Sequence, residues 1–167
     1  MPARRIPNGL FFAIVLLALA QSLHDFPLLP ERLASHFDAS GMPNGWMTKT
    51  QFMWMYVLTL LPAAAIEFWV SRKIASQPDT RLNLPNKEYW LAPERRAETF
   101  AYFDNFCAWY GCVFLFVVVF AMGLAMRANF DSPPRLPTGP ILFDIAGFVL
   151  FNAGAVMAMF RRFSAPQ

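Results

Sequence analysis

The sequence predicts an all-α protein, a four-helix transmembrane bundle, on three observations. Its apolar residues are gathered into four long blocks, hydrophobic residues reach 56% of the 167, and 18 of them are phenylalanine. Charged residues make up only 15%, where a soluble domain carries about 25%. In hydrocarbon every backbone N–H and C=O must be satisfied within its own segment, so an apolar run of about 20 residues reads as a spanning helix.

The first block runs from about Pro7 to Leu23. Arg4 and Arg5 ahead of it, with Ala18-Leu19-Ala20 near its end, also resemble a cleaved secretory signal. The segment is expected to remain as a span. The second block covers about Phe52 to Val70, the third about Phe106 to Met126 and the fourth about Pro140 to Phe160. At 1.5 Å per residue the last two cross a core of about 30 Å. With no internal repeat, low-complexity segment or second domain visible, residues 1–167 read as one transmembrane domain.

Orientation follows from lysine and arginine. Arg4 and Arg5, six residues between spans two and three (Arg72, Lys73, Arg81, Lys87, Arg95, Arg96), and Arg161 with Arg162 make ten on one side. Arg32, Lys49, Arg127 and Arg135 make four on the other. The positive-inside rule places the ten in the cytoplasm, which predicts N-in and C-in. Trp46, Trp54 and Tyr56 at one interface, and Trp69, Trp90, Tyr102 and Trp109 at the other, suit aromatic belts.

Between spans one and two lies an outer loop, about Gln21 to Gln51, with Pro27, Pro30, Gly41, Pro43 and Gly45. These predict an ordered, turn-rich shape in which His36 and Trp46 fold onto the bundle. The inner loop, about Ser71 to Asn105, turns at Asn83-Leu84-Pro85-Asn86. Pro93 then suits the first turn of an interfacial helix leading into span three, with Glu94 at its positive end.

Polar groups inside spans are the functional pointers, since a charge at mid-bilayer costs on the order of 3 kcal/mol. Glu67 lies toward the inner end of span two, where it can meet headgroups, Arg72 or Lys73. Asp104 and Asn105 open span three. Asp144 reads as a partly solvated acid one turn into span four, and Asn152 lies eight residues on, within about 80° of the same face. Asn152 reads as an interhelical hydrogen-bonding group, and Gly147, Gly154 and Ala158 as a seam for close packing.

His24, His36, Asp38 and Asp144 share the outer level and are the candidate ligands of a divalent metal such as zinc. Histidine bound to loop backbone explains His36 equally. No nucleophile elbow, His-Glu-x-x-His, phosphate loop or dinucleotide fingerprint occurs, so no catalytic residue is assigned and no cofactor is expected. The charge of +3 is dispersed, which gives no support to nucleic-acid binding. Cys107 and Cys112, five apart on one helix, point about 140° away from each other and cannot pair.

Pro30, His36, Phe37, Gly41, Trp46 and Lys49, together with the stretch Asn83 to Glu94 that includes Pro85, Trp90 and Pro93, resemble a bacterial membrane family. That family is catalogued as a domain of unknown function, number 1648, and also forms the N-terminal part of SdpI-type immunity proteins. The resemblance implies fold and location, and a site among the loop residues. Immunity members protect cells from a membrane-active peptide toxin. Two functions are therefore expected in order: a non-enzymatic module that recognises an extracytoplasmic ligand or peptide through residues 24–51, or an accessory subunit packed laterally in a larger membrane complex. Its partners would be membrane lipids and another membrane protein or a second copy.

Overall fold

Four helices long and apolar enough to cross a membrane form most of the computed structural model, which describes residues 4–164 and is 75% helical. Helix α1 spans Arg5–Asp25 and ends in a 3-10 turn over Phe26–Leu28. Helix α2 spans Lys49–Ala65 and starts on a capping box: Gln51 N–H donates to Thr48 Oγ1 (3.2 Å) and Thr48 N–H to Gln51 Oε1 (3.1 Å). Pro62 removes one N–H from the ladder of α2. Four residues later the helix widens into a π turn, Ile66–Val70, before resuming as α3, Ser71–Ala75.

After a short α4 (Lys87–Trp90), α5 runs unbroken from Pro93 to Ala128 and α6 from Thr138 to Phe163. The helix expected to start at Pro93 continues straight into the third span. Pro93 occupies the first turn of α5 and Glu94 its first-turn acid position, and nothing between them and the apolar stretch stops the helix. At 1.5 Å per residue its 36 residues extend about 54 Å, well beyond a hydrocarbon core.

Successive helices run in alternate directions. Arg4 at the start of α1 meets Glu67 near the end of the second helix and Asp104 early in α5. Trp90, just before α5, meets Phe163 at the end of α6. Helix α5 is the centre: its apolar stretch is 33% buried, that of α6 only 6%. Lipid is as apolar as leucine, so helix association depends on close packing. Small residues supply it: Ala18 of α1, Ala63 of α2 and Ala108 of α5 are fully packed, and α5 turns Gly111 to Glu67 and Gly123 to the Gln21 amide.

The expectation of an all-α chain needs correction in one place. Residues 32–48 form a β-hairpin, β1 (Arg32–Phe37) antiparallel to β2 (Pro43–Thr48). Its Leu33, with Leu29 from the segment just before it, packs among Ala18, Phe52, Tyr56 and Met126. Two belt assignments also change. Tyr56 belongs to that core, and Trp90 is buried against the end of α6. The small-residue seam of α6 is not packed within the chain: Gly147 and Gly154 have nothing within 4 Å of an added Cβ.

Candidate functional site

The hairpin is held from three sides. At its turn Asp38 Oδ1 accepts from Ser40 N–H (2.9 Å), Ser40 Oγ (2.6 Å) and Met42 N–H (3.0 Å), while Asp38 N–H donates to Met42 O (2.8 Å). Those bonds, the Ser40 hydroxyl foremost, hold the Asp38 carboxyl below its ordinary 3.8. Gly41 sits at φ +82, a conformation open to glycine, and a Cβ there would overlap the carbonyl oxygen of Leu136. Its own carbonyl accepts from Leu136 N–H (3.0 Å).

Asn129, at the end of α5, is the second hold. Its Oδ1 accepts from Ala34 N–H (2.7 Å), and its Nδ2 donates to Ala34 O (2.9 Å) and Ala125 O (2.8 Å). One amide thereby completes both backbone groups of a fully buried strand residue, as a neighbouring strand would. At the base, Lys49 N–H donates to Glu31 O (3.1 Å), Lys49 Nζ pairs with Glu31 Oε1 (2.8 Å), and the ammonium lies 5.2 Å over the Phe26 ring.

The register slips on either side of the His36–Gly45 pair. Bulges of this kind re-aim side chains. The His36 ring lies over Gly45, where an added Cβ would stand 3.0 Å from His36 Cβ. His36 and Trp46, expected against the bundle, are instead exposed, Trp46 at 45% and Met42 beside them at 42%. Phe37, half-buried, pairs with Pro43 across the strands. Anchoring falls to Leu33, Ala34 and Leu29, which frees the aromatic and imidazole groups.

The proposed metal ligands do not converge. Among the described residues no three His, Cys, Asp or Glu side chains stand together. His24 Nδ1 is 2.8 Å from Asp25 Oδ1, His36 Nδ1 is 3.2 Å from Ser35 Oγ, Asp38 is spent on its own turn, and Asp144 is buried in α6 rather than partly solvated.

A second polar assembly lies at the opposite end of the molecule. The π turn places Glu67 fully buried, 0% exposed, between α1 and α5. Its partner is Arg4 rather than Arg72 or Lys73. The Arg4 guanidinium donates to Glu67 O and lies 3.5 Å from Glu67 Oε1 and 3.2 Å from Asp104 Oδ1. Asn8 is flanked by acceptors, which assigns its amide nitrogen to that side; it then donates to Glu67 Oε1 (2.8 Å) and Arg4 O (3.1 Å). Ser71 Oγ donates to Asp104 Oδ1 (2.6 Å). The sequence carried one usable signal for this cluster, Pro62 followed by an acid within an apolar helix.

The remaining named residues have structural partners. Asn152 Oδ1 accepts from Tyr110 Oη (2.7 Å), joining α6 to α5. Trp90 Nε1 donates to Phe163 O (3.1 Å), and Asn86 Nδ2 to Phe163 O and Ser164 O (3.0 Å each). The inner-loop motif thus satisfies the carbonyls that end α6. Asn83 and Pro85 shape the approach to Asn86, whose φ of 51 is left-handed.

No curated protein and no solved structure matches the chain significantly. Residues 13–60, under a third of the chain, match the family model described as a domain of unknown function, DUF1648, and that segment is most of α1, the whole hairpin and the first part of α2.

Proposed function

We propose that this multi-pass membrane protein is a non-enzymatic recognition module of the bacterial inner (plasma) membrane. Its hairpin binds an extracytoplasmic ligand, a peptide by preference. One observation carries the reading: a hairpin fixed at turn, strand and base still leaves His36, Met42 and Trp46 exposed on one bulged ribbon. Rigid presentation of an aromatic anchor lowers the ordering cost of binding. The resemblance of Pro30, His36, Phe37, Gly41, Trp46 and Lys49 to the N-terminal part of SdpI-type immunity proteins supports a peptide and a bacterial membrane. The ten-to-four split of basic residues supports N-in and C-in, with the hairpin outside.

A photo-crosslinking amino acid placed at position 46 in living cells tests this reading. A discrete peptide adduct, lost when Asn129→Ala loosens the hairpin, is the expected result. A second reading, an accessory subunit packed in a membrane complex, draws on the thinly covered α6 and its unpacked Gly147 and Gly154. Adducts formed from position 150 on α6 and absent from position 46 would favour that reading and overturn the first.

A further inference from the structure

At the hairpin end of the bundle, the loop after α5 folds back on the helix it leaves. Arg135 N–H donates to Ala128 O (3.3 Å) and Leu136 N–H to Gly41 O (3.0 Å), which brings Arg135 beside Arg127 in the last turn of α5. Both arginines line one open basin of about 570 Å³, together with Asp131 and Ser40 of the hairpin turn. Arg127, Arg135 and Asp131 are exposed, and none of them forms an ion pair among the described residues.

At Leu124 and Arg127 the basin adjoins a second hollow, a groove of about 220 Å³ between α1 and α5 with walls of Ile, Leu, Val and Phe. One uncharged polar group interrupts those walls. The Gln21 amide lies against Gly123 and makes no hydrogen bond among the described residues. At 1.5 Å per residue, Gln21 stands about 6 Å below the end of α1 and Gly123 about 8 Å below the end of α5. An amide at that depth gains from any oxygen acceptor brought to it.

The two hollows stack in the order of a lipid molecule: charge first, then one polar step, then hydrocarbon. We propose that they form a binding site for one anionic glycerophospholipid, such as phosphatidylglycerol. Arg127 and Arg135 hold the phosphodiester, the Gln21 amide donates to an ester carbonyl, and one acyl chain starts down the α1–α5 groove. Guanidinium suits phosphate because its N–H groups reach two oxygens at once. Charge selects the class of headgroup. Two arginines less one aspartate leave the basin at +1, which the single negative charge of phosphatidylglycerol cancels. A choline or ethanolamine headgroup carries its own cation and leaves that charge in place. His36 and Trp46 lie outside both hollows, so the lipid site and the peptide reading stand or fall separately.

The test takes the full chain, delipidated in detergent, and titrates it with phosphatidylglycerol, phosphatidylethanolamine or phosphatidylcholine of identical acyl chains. Native mass spectrometry counts the bound lipid. One phosphatidylglycerol per chain should be retained, on the order of tenfold tighter than either zwitterionic lipid, the weight of one or two arginine–headgroup pairs. Arg127→Gln with Arg135→Gln should bring it down to the level of the other two, while Arg161→Gln at the opposite end should keep the preference. Gln21→Leu should weaken all three lipids alike, because the ester is common to them. Equal binding of the three lipids overturns the proposal, as does a preference that survives the double substitution or disappears in Arg161→Gln. Should the double variant fail to fold, Arg135→Gln alone decides: part of the preference should go, and its full retention refutes the site.

Discussion

Asn129→Ala removes the amide that completes Ala34, and its cost can be worked from the geometry. Ala34 is fully buried, so truncation leaves its N–H and C=O without partners in a place water does not reach. Each such orphan costs about 1–3 kcal/mol, hence about 2–6 together. The damage should be local, because the helix-helix contacts of α5 lie elsewhere. Hydrogen exchange in detergent or nanodiscs reads it directly: the amides of 33–37 and 45–48 should exchange about 30-fold faster or more, since 1.4 kcal/mol is a factor of ten. Amides in the middle of α5 should hold their protection. Asn129→Asp sharpens the test. It keeps an acceptor for Ala34 N–H (2.7 Å) but turns an anionic oxygen toward the Ala34 and Ala125 carbonyls (2.9 and 2.8 Å), and should open the hairpin no less than alanine does. Unchanged exchange at residue 34 in Asn129→Ala would show that the hairpin is held by apolar burial alone.

Gly41→Ala combines about 1–2 kcal/mol of left-handed strain with an overlap on the Leu136 carbonyl; the unfolding free energy should fall by at least that amount, and an unaltered melting temperature would contradict the docked turn. Trp90→Phe keeps the ring contact with Phe163 but loses the Nε1 bond to its carbonyl, a loss of about 1 kcal/mol, whereas Trp90→Ala should cost about 3–5. Thermal unfolding of the pair checks that ordering. Asp38 lies below its ordinary 3.8 because the folded turn favours its ionised form, so its stabilisation is present above that value and lost as pH falls through the folded pKa. Acid should therefore loosen the 38–42 turn in wild type and leave Asp38→Ala, already loosened, without that acid step, as followed by amide chemical shifts. Reporter fusions after Gln77 should be active only with a cytoplasmic reporter, and periplasmic activity there would reverse the assigned orientation.

The helices were legible because membrane hydropathy is a local property, visible in any window of about 20 residues. The hairpin was not. Arg32-Leu-Ala-Ser-His-Phe37 lacks a clean alternation, and its strand is completed by Asn129, 95 residues away. Gly41 announced a turn, but its reason, the Leu136 carbonyl, lies in another loop. The proline and glycine spacing therefore gave order without giving its form. Glu67 was visible as an acid in an apolar helix, whereas Arg4 read as a topology signal rather than as its partner. The π turn that brings them together depends on how α2 packs after Pro62. Trp90 shows a similar limit: tryptophan at a helix end suits an interface by composition, and only the returning end of α6 makes it a cap.

Helix α5 ties the two ends of the molecule to a single stiff rod. Near one tip Asn129 grips the hairpin, and toward the other Asp104 and Thr99 grip the Arg4 cluster and the Trp90 turn. A rod of about 54 Å that tilts by about 3° around its middle moves each tip by about 1.4 Å, and helix shifts of about 1–2 Å are the scale on which packed interfaces change state. Were the hairpin pushed by a ligand, the push would arrive at the opposite end of α5 as displacement of a solid lever, with no need for a relay of side chains in between.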